Sequence, residues 1–144
     1  MAYTNNSLAL ATKALVDRFK NNLAGLPAAL PATRVKFINA PFTTPNNQSW
    51  ARVSIRNFGP IDQDASNAYE INQGIFTISY FVPKGTGYDA AMDMAHAIKA
   101  LYTAEIFDDL VVTSVLVNES PEPESSPWYG VNISVNYQFE GMTS

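Results

Sequence analysis

A glycine-rich turn offers the first possible chemistry in this sequence. The segment PKGTG (residues 83–87) stands between a β-like stretch and a helical one, where such turns often bind phosphate. Its order departs from a phosphate-binding loop, because Lys84 precedes both glycines and no Lys-Ser or Lys-Thr pair opens the helix. Proline and two glycines are enough to end a strand and redirect the chain. We therefore predict a turn there, without a bound nucleotide.

A second possible chemistry, metal binding, involves the single histidine of the sequence. Asp89, Asp93 and His96 are spaced so that they could lie on one helix face and bind a metal ion. Acidic residues at a helix start are also favoured by the helix dipole, which is the simpler explanation. Cysteine and the G-x-S-x-G nucleophile motif are both absent from the sequence. We predict no catalytic site, no cofactor and no metal, so that the protein is not an enzyme.

The elements that would position these residues can be read from the apolar pattern. With 144 residues, 47% hydrophobic and 15% charged, the chain suits one globular domain, predicted over residues 1–144. No stretch approaches the ~18 apolar residues of a membrane span, and the N-terminus lacks signal-peptide features. Periodicity predicts helices at 6–23 and around a stripe from Ala91 to Tyr102, and strands at 34–38, 50–58, 74–82, 110–117 and 129–139.

This order predicts an α+β fold, an antiparallel sheet of four to five strands with two helices on one face. The last strand alternates most regularly, so we place it at the centre of the sheet. Residues 59–73 are polar and are predicted to form a long loop that is ordered only against a neighbour. Residues 118–127 are predicted to form an acidic, proline-rich loop.

The charges are segregated along the chain. Residues 1–60 contain seven basic residues and one acid, whereas residues 61–144 contain two basic residues and twelve acids. Such asymmetry can mark complementary surfaces between subunits, with Arg52 and Arg56 on the basic one. The alternative is that the charges pair within one molecule or remain solvated.

One face of the last predicted strand is polar but uncharged. Asn132, Ser134, Asn136 and Gln138 alternate with apolar residues, and Thr77 and Ser79 could lie beside them. A solvated sheet face usually carries Lys, Glu or Arg. Amides and hydroxyls suit a face that packs on other protein or lines a wet channel, although a charge-poor chain can acquire such a face by chance.

Several segments, taken in order, resemble the tail terminator (tail completion) proteins of long-tailed phages, including the lambda-like ones. They are the N-terminal helix, "FINAPFTTPNNQSWARVSI", "GIFTISYFVPKGTG" before an Ala-rich helix, and "SPEPESSPWYGVNISVNYQF". The resemblance implies a non-enzymatic virion protein, assembled in the host cytoplasm, that forms a hexameric ring at the head-proximal end of the tail. Its implied partners are copies of itself, the tail tube protein and the head-completion or neck protein. The genomic DNA would only pass through the ring, and no membrane is involved.

Two groups of residues are assigned on this basis. Arg52, Arg56 and the polar strand face are predicted at the subunit interface. The lumen or partner loops are predicted to contain five acids, Asp62, Asp64, Glu119, Glu122 and Glu124. A head–tail connector or tail-tube subunit is the alternative among virion proteins, and a monomeric ligand-binding domain is the alternative from a different class.

Overall fold

The computed structural model describes residues 8–63, 69–103, 106–107 and 110–142. It has two α-helices and six β-strands, which confirms the predicted α+β class. The elements are α1 (Leu8–Lys20), β1 (Val35–Lys36), β2 (Trp50–Gln63), β3 (Tyr69–Pro83), α2 (Asp89–Leu101), β4 (Ile106–Phe107), β5 (Leu110–Ser120) and β6 (Trp128–Met142).

The strands form one sheet in the order β1-β2-β3-β6-β5-β4. All neighbouring strands are antiparallel except β1 and β2. The position of β6 between β3 and β5 confirms the prediction that the last strand is central. The outermost strands β1 and β4 have two residues each, so four long strands make up most of the sheet. The prediction of four to five strands missed β4, whose two residues are too few to show a period.

The hydrophobic core lies between the helices and one face of the sheet. Alternate residues of β6, from Val131 to Phe139, point into it. The helices bury Leu15 and Phe19 from α1, and Met94 and Ile98 from α2, at three- and four-residue steps. Both helices contribute to this one core, so they lie on the same face, as predicted.

Polar contacts join the two helices inside this layer. The Tyr102 hydroxyl is buried and donates a hydrogen bond to the Leu15 carbonyl at 2.6 Å. The Arg18 guanidinium donates to the Leu101 carbonyl at 3.0 Å. Because α2 ends at Leu101, the Arg18 bond satisfies a carbonyl at a helix end. Both bonds hold α1 against the end of α2.

The predicted loop at 59–73 is wrong for most of its length. Residues 59–63 continue β2, and residues 69–73 begin β3, with Gly59 opposite Gln73 and Gln63 opposite Glu70. In this arm β3 pairs with β2 on one side and with β6 on the other, so backbone pairing within one chain orders these residues. Two register shifts, at Asn57/Gly59 and Pro60/Asp62, interrupt the side-chain alternation that would have marked the strand in the sequence. Residues 64–68 lie outside the described part.

Other predicted boundaries shift by a few residues. The acidic loop is shorter than predicted, because β5 continues to Ser120. The first helix ends at Lys20 and is followed by a short 3₁₀ turn, Leu23–Gly25. Among the described residues, no helix has the length and apolar character needed to cross a membrane.

Candidate functional site

The helices leave the second face of the sheet uncovered. We call it the open face and define it by residues that lie in register across the four long strands. Its side chains are Arg52, Ser54 and Arg56 on β2, Gln73, Ile75, Thr77 and Ser79 on β3, Asn132, Ser134, Asn136 and Gln138 on β6, and Ser114, Leu116 and Asn118 on β5.

The six residues predicted at the interface are therefore brought together on one face. Arg52 lies opposite Ser79, which in turn lies opposite Asn132. Arg56 lies opposite Ile75, and Ile75 lies opposite Asn136. The pleat of the sheet gives this result, because residues directly opposite each other in antiparallel strands point to the same side.

Hydrogen bonds fix the amides of this face in place. The Ser79 hydroxyl donates to the Asn132 side-chain oxygen at 2.6 Å. The Asn136 amide donates to the Ser114 hydroxyl at 2.8 Å. These bonds run across β3, β6 and β5, so the face presents a rigid polar surface rather than long mobile side chains.

The charge of the open face comes from two arginines. Its other defining residues are amides, hydroxyls and two apolar side chains. Each arginine lies over an aromatic ring, Arg52 at 5.2 Å from the Phe81 centroid and Arg56 at 5.4 Å from the Phe58 centroid. Such cation–π contacts orient the guanidinium groups and leave their N–H donors available at the rim.

One end of the open face carries an aromatic cluster that the sequence did not reveal. We define this cluster as Phe42, Trp50, Phe81 and Trp128. Trp50 stacks on Phe81 with centroids 4.4 Å apart, and it contacts Phe42 at 5.4 Å and Trp128 at 5.9 Å. Gly130 makes room for it, since a Cβ there would lie 2.8 Å from the Phe81 ring. Only the register, which places Phe81 opposite Gly130, could have indicated the cluster.

A buried donor in this cluster lacks an acceptor. The Trp50 Nε1 has no hydrogen-bond partner among the described residues, although the side chain is only 7% exposed. An unsatisfied buried donor costs about 1–3 kcal/mol. The aromatic contacts of Trp50 offset this cost locally.

The four predicted lumen acids that the structure describes lie at two separate ends of the sheet. Glu119 lies on β5 rather than in a loop, and its carboxylate accepts a hydrogen bond from the Tyr129 hydroxyl at 2.9 Å. Partial burial, and then this carboxylate, raise the pKa of Tyr129. Glu122 accepts a bond from the Ser120 hydroxyl at 2.9 Å, while the carbonyl of Glu124 accepts one from Lys84 Nζ at 2.6 Å.

Asp62 belongs to the opposite end of the sheet. It is on the β2–β3 arm, opposite Ile71, whereas Ser120 pairs with Gly130 at the end of the sheet where Trp50 lies. Asp64 lies outside the described residues. The structure thus separates Asp62 from the three glutamates along the strands, and the prediction that these acids line a lumen stays a prediction.

The residues considered first for chemistry do not form a site in the described part of the chain. PKGTG is the predicted turn, with Gly85 and Gly87 at φ of 90° and 88°, a conformation that favours glycine. The Thr86 hydroxyl donates to the Pro83 carbonyl at 2.7 Å, and the Lys84 amide donates to the Pro127 carbonyl at 2.8 Å. Asp89, Asp93 and His96 are exposed, and no group of three metal-ligating side chains is found among the described residues.

Comparison with known proteins agrees with this geometry. One solved structure, of a protein whose name describes no function, superimposes with a TM-score of 0.70 at 21% identity, over 96% of each chain. That similarity shows the fold. None of the curated proteins matches the sequence. The family model for phage tail terminator proteins matches residues 12–137. This match covers most of the chain and confirms the resemblance seen in the sequence, and the chain therefore belongs to the phage tail terminator protein family, a family of structural proteins of the phage tail.

Proposed function

We propose that this protein forms a hexameric ring that caps the finished tail tube, ends tail polymerisation and joins the tail to the neck proteins of the head. Family membership supports a structural role in the virion tail. The observation that carries the finer proposal is the open face, a rigid, nearly neutral surface that spans four strands. Such a face suits a subunit that lines a channel.

The neutrality of that face fits the passage of DNA. A lining rich in Lys and Arg would bind the phosphates of the genome and release counterions, so that affinity would grow with each phosphate neutralised. On β3 and β6 the channel would instead be lined by uncharged polar side chains of the open face, such as Thr77, Ser79, Asn132 and Ser134. A polyanion meets hydrogen-bonding groups there without a strong attraction.

The segregated charges support contacts between subunits. A ring requires a heterologous contact, in which two different surfaces of the same chain meet. We propose that Arg52 and Arg56 belong to one surface and that the acids at the end of β5 and in the loop after it, including Glu119 and Glu122, belong to the other. Exposed ion pairs contribute only ~0–1 kcal/mol each, but a ring repeats them and they set the register.

The two acidic ends of the sheet would then lie at the two openings of the ring. Glu119, Glu122 and Glu124 would face one partner, and Asp62 would face the other. This arrangement gives a lining that is mainly uncharged, with Arg52 and Arg56 at the contacts between subunits, and acidic residues at the rims. The tail tube would bind at one opening of the ring and the neck protein at the other.

Electron microscopy of particles assembled with and without this protein tests the proposal. We expect the complete system to give tails of uniform length with a ring at the head-proximal end, and the deletion to give tails of abnormal length that fail to join heads. Normal, head-joined tails without the protein would contradict the proposal. Copies stacked along the whole tail would indicate a tube subunit, and a ring in the head alone would indicate a connector.

A soluble assay addresses the alternative of a monomeric ligand-binding domain. Light scattering of the purified protein, with and without tail tubes, should give the mass of a closed ring in at least one condition. A monomer at high concentration in both conditions would contradict ring formation.

A further inference from the structure

The two long outer strands of the sheet have unpaired outer sides. β1 pairs only with Ala51 and Arg52 of β2, and β4 pairs only with Leu110 and Val111 of β5. The outer sides of Val53–Phe58 on β2 and Ser114–Ser120 on β5 therefore have no described strand beside them. Exposed strand edges offer rows of N–H and C=O groups to any further strand.

The β5 edge lacks the usual protection against such pairing. Natural edges are blunted by Lys, Pro, bulges or inward charges. Ser114–Ser120 is free of Pro and bulges and contains one charge, Glu119, near its end. At its centre Leu116 is 53% exposed on the open face. The other long edge has a matching apolar residue, Phe58, which is 48% exposed.

We infer that, in the ring proposed above, the β5 edge of one copy pairs with the β2 edge of the next, with Leu116 packed against Phe58 of the partner copy. This inference rests on the proposed function. Within one chain β2 and β5 run in opposite directions, since each neighbouring pair of long strands is antiparallel. Rotation about a ring axis preserves these directions, so the new pair is also antiparallel and the sheet continues without a change of pattern.

Charge complementarity supports a second copy as the occupant of each edge. Residues 50–58 contain Arg52 and Arg56 and no acid, whereas residues 114–124 contain Glu119, Glu122 and Glu124 and no basic residue. When Phe58 lies opposite Leu116 in an antiparallel pair, Ser54 lies opposite Ser120, and Arg56 lies opposite Asn118, next to Glu119. The apolar pair therefore places the basic edge beside the acidic one.

This register also gives a reasonable curvature. Leu116 shares a row with Ser134, Thr77 and Ser54 of its own chain, so Phe58 is displaced from that row by about four residues. The strand register therefore shifts by about four residues per copy, which is one residue for each of its four long strands. A closed barrel with one residue of stagger per strand has strands tilted by roughly 36°, which is an ordinary value.

Engineered disulfides test the register directly, because the chain has no cysteine of its own. We would combine Ser54→Cys with Ser120→Cys, and compare it with Ser54→Cys combined with Ser114→Cys. Two strands separate β2 from β5 in one chain, so Ser54 is roughly 14 Å from the β5 row and cannot form either disulfide internally. We expect mild oxidation of the assembled protein to give a ladder of linked copies for the first pair and none for the second.

A second variant guards against misfolding as an explanation. Leu116→Asp should abolish ring assembly while the monomer keeps its circular dichroism spectrum. Leu8→Asp is the matched control, since Leu8 is 45% exposed on α1, and it should assemble normally. If rings form but neither disulfide links them, the edge pairing is overturned and the proposed function stands. If only the Ser114 pair links them, the proposed register with Leu116 against Phe58 is overturned. If the unmodified chain forms no ring, the proposed function fails as well.

Discussion

The two faces of the sheet bury their side chains in different ways. On the helix side, Val131, Ile133 and Val135 of β6 are 0% exposed beneath two helices. On the open side, the intervening Asn132, Ser134 and Asn136 are half-buried and held by cross-strand hydrogen bonds or strand neighbours. One face of β6 thus belongs to the core that stabilises the fold, whereas the residues on its other face contribute little to folding stability. Stability and assembly should therefore respond to different substitutions.

The largest effect should come from the helix side. Ile133→Ala leaves a cavity between the sheet and the helices and should lower the free energy of unfolding by about 2–5 kcal/mol. The adjacent Ser134→Ala, on the open face, should change it by less than about 0.5 kcal/mol. Urea denaturation of both variants measures the contrast, and equal losses would show that the open face is also part of the core.

The next largest effect should be a loss of folding stability at alkaline pH, which also arises on the helix side of the sheet. Burial raises the pKa of the Tyr102 hydroxyl well above the ordinary tyrosine value near 10, and burial raises the pKa of Tyr137 to about 12. Above pH 10 the unfolded tyrosines ionise while the folded ones stay protonated, so the folded state binds more protons. Its stability is complete below pH 10 and falls above it by up to ~1.4 kcal/mol per pH unit for each group.

Phenylalanine variants assign this loss to individual residues. Tyr102→Phe and Tyr137→Phe should each reduce the slope of stability against pH above 10, measured by denaturation at several pH values. Tyr102→Phe should also cost about 0.5–1.5 kcal/mol at neutral pH, because it removes the hydrogen bond to the Leu15 carbonyl. An unchanged alkaline slope in both variants would contradict the assignment.

A substitution beside the aromatic cluster, which forms a small core on the open face, should have a moderate effect on stability. Gly130→Ala places a methyl group against the Phe81 ring and should destabilise the protein by about 1–3 kcal/mol. Gly25→Ala is the control, since a Cβ there meets nothing within 4 Å. Thermal unfolding compares the two, and a neutral Gly130→Ala would mean that the aromatic cluster can move aside freely.

The smallest effect on stability should come from the two arginines of the open face, where we expect a salt-dependent effect on assembly. Reversing Arg52 and Arg56 to Glu removes two partly solvated cation–π contacts and should cost little more than about 1 kcal/mol in total. We expect the ring to dissociate at salt concentrations that the unmodified ring withstands. Light scattering over a salt series measures this, and identical behaviour at every concentration would contradict a charged interface.

Sequence patterns predicted the elements that have a strong period. The alternation of β6, the stripe of α2 and the PKGTG turn all depend on local spacing, and each is found where it was expected. The polar face could be predicted for the same reason, since every second residue of a strand points to one side.

Features that depend on pairing between distant residues were not predicted. The β2–β3 arm contains Gly59 and Pro60 and has two register shifts, so its strand character comes from cross-strand bonds rather than from its composition. The aromatic cluster joins Phe42, Trp50, Phe81 and Trp128 from separate segments. The open edges follow from how short β1 and β4 are, which no local pattern indicated.

The aromatic cluster also decides what spectroscopy of this protein can report. Both tryptophans of the chain, Trp50 and Trp128, belong to it, in an edge-on contact at 80°. Intrinsic fluorescence therefore observes one end of the open face, while far-ultraviolet circular dichroism observes the helices on the other side. Because the two signals come from opposite layers, coincident unfolding curves would show that the layers unfold in one cooperative step. A fluorescence change on assembly without a change in circular dichroism would be an optical signal of the open face alone.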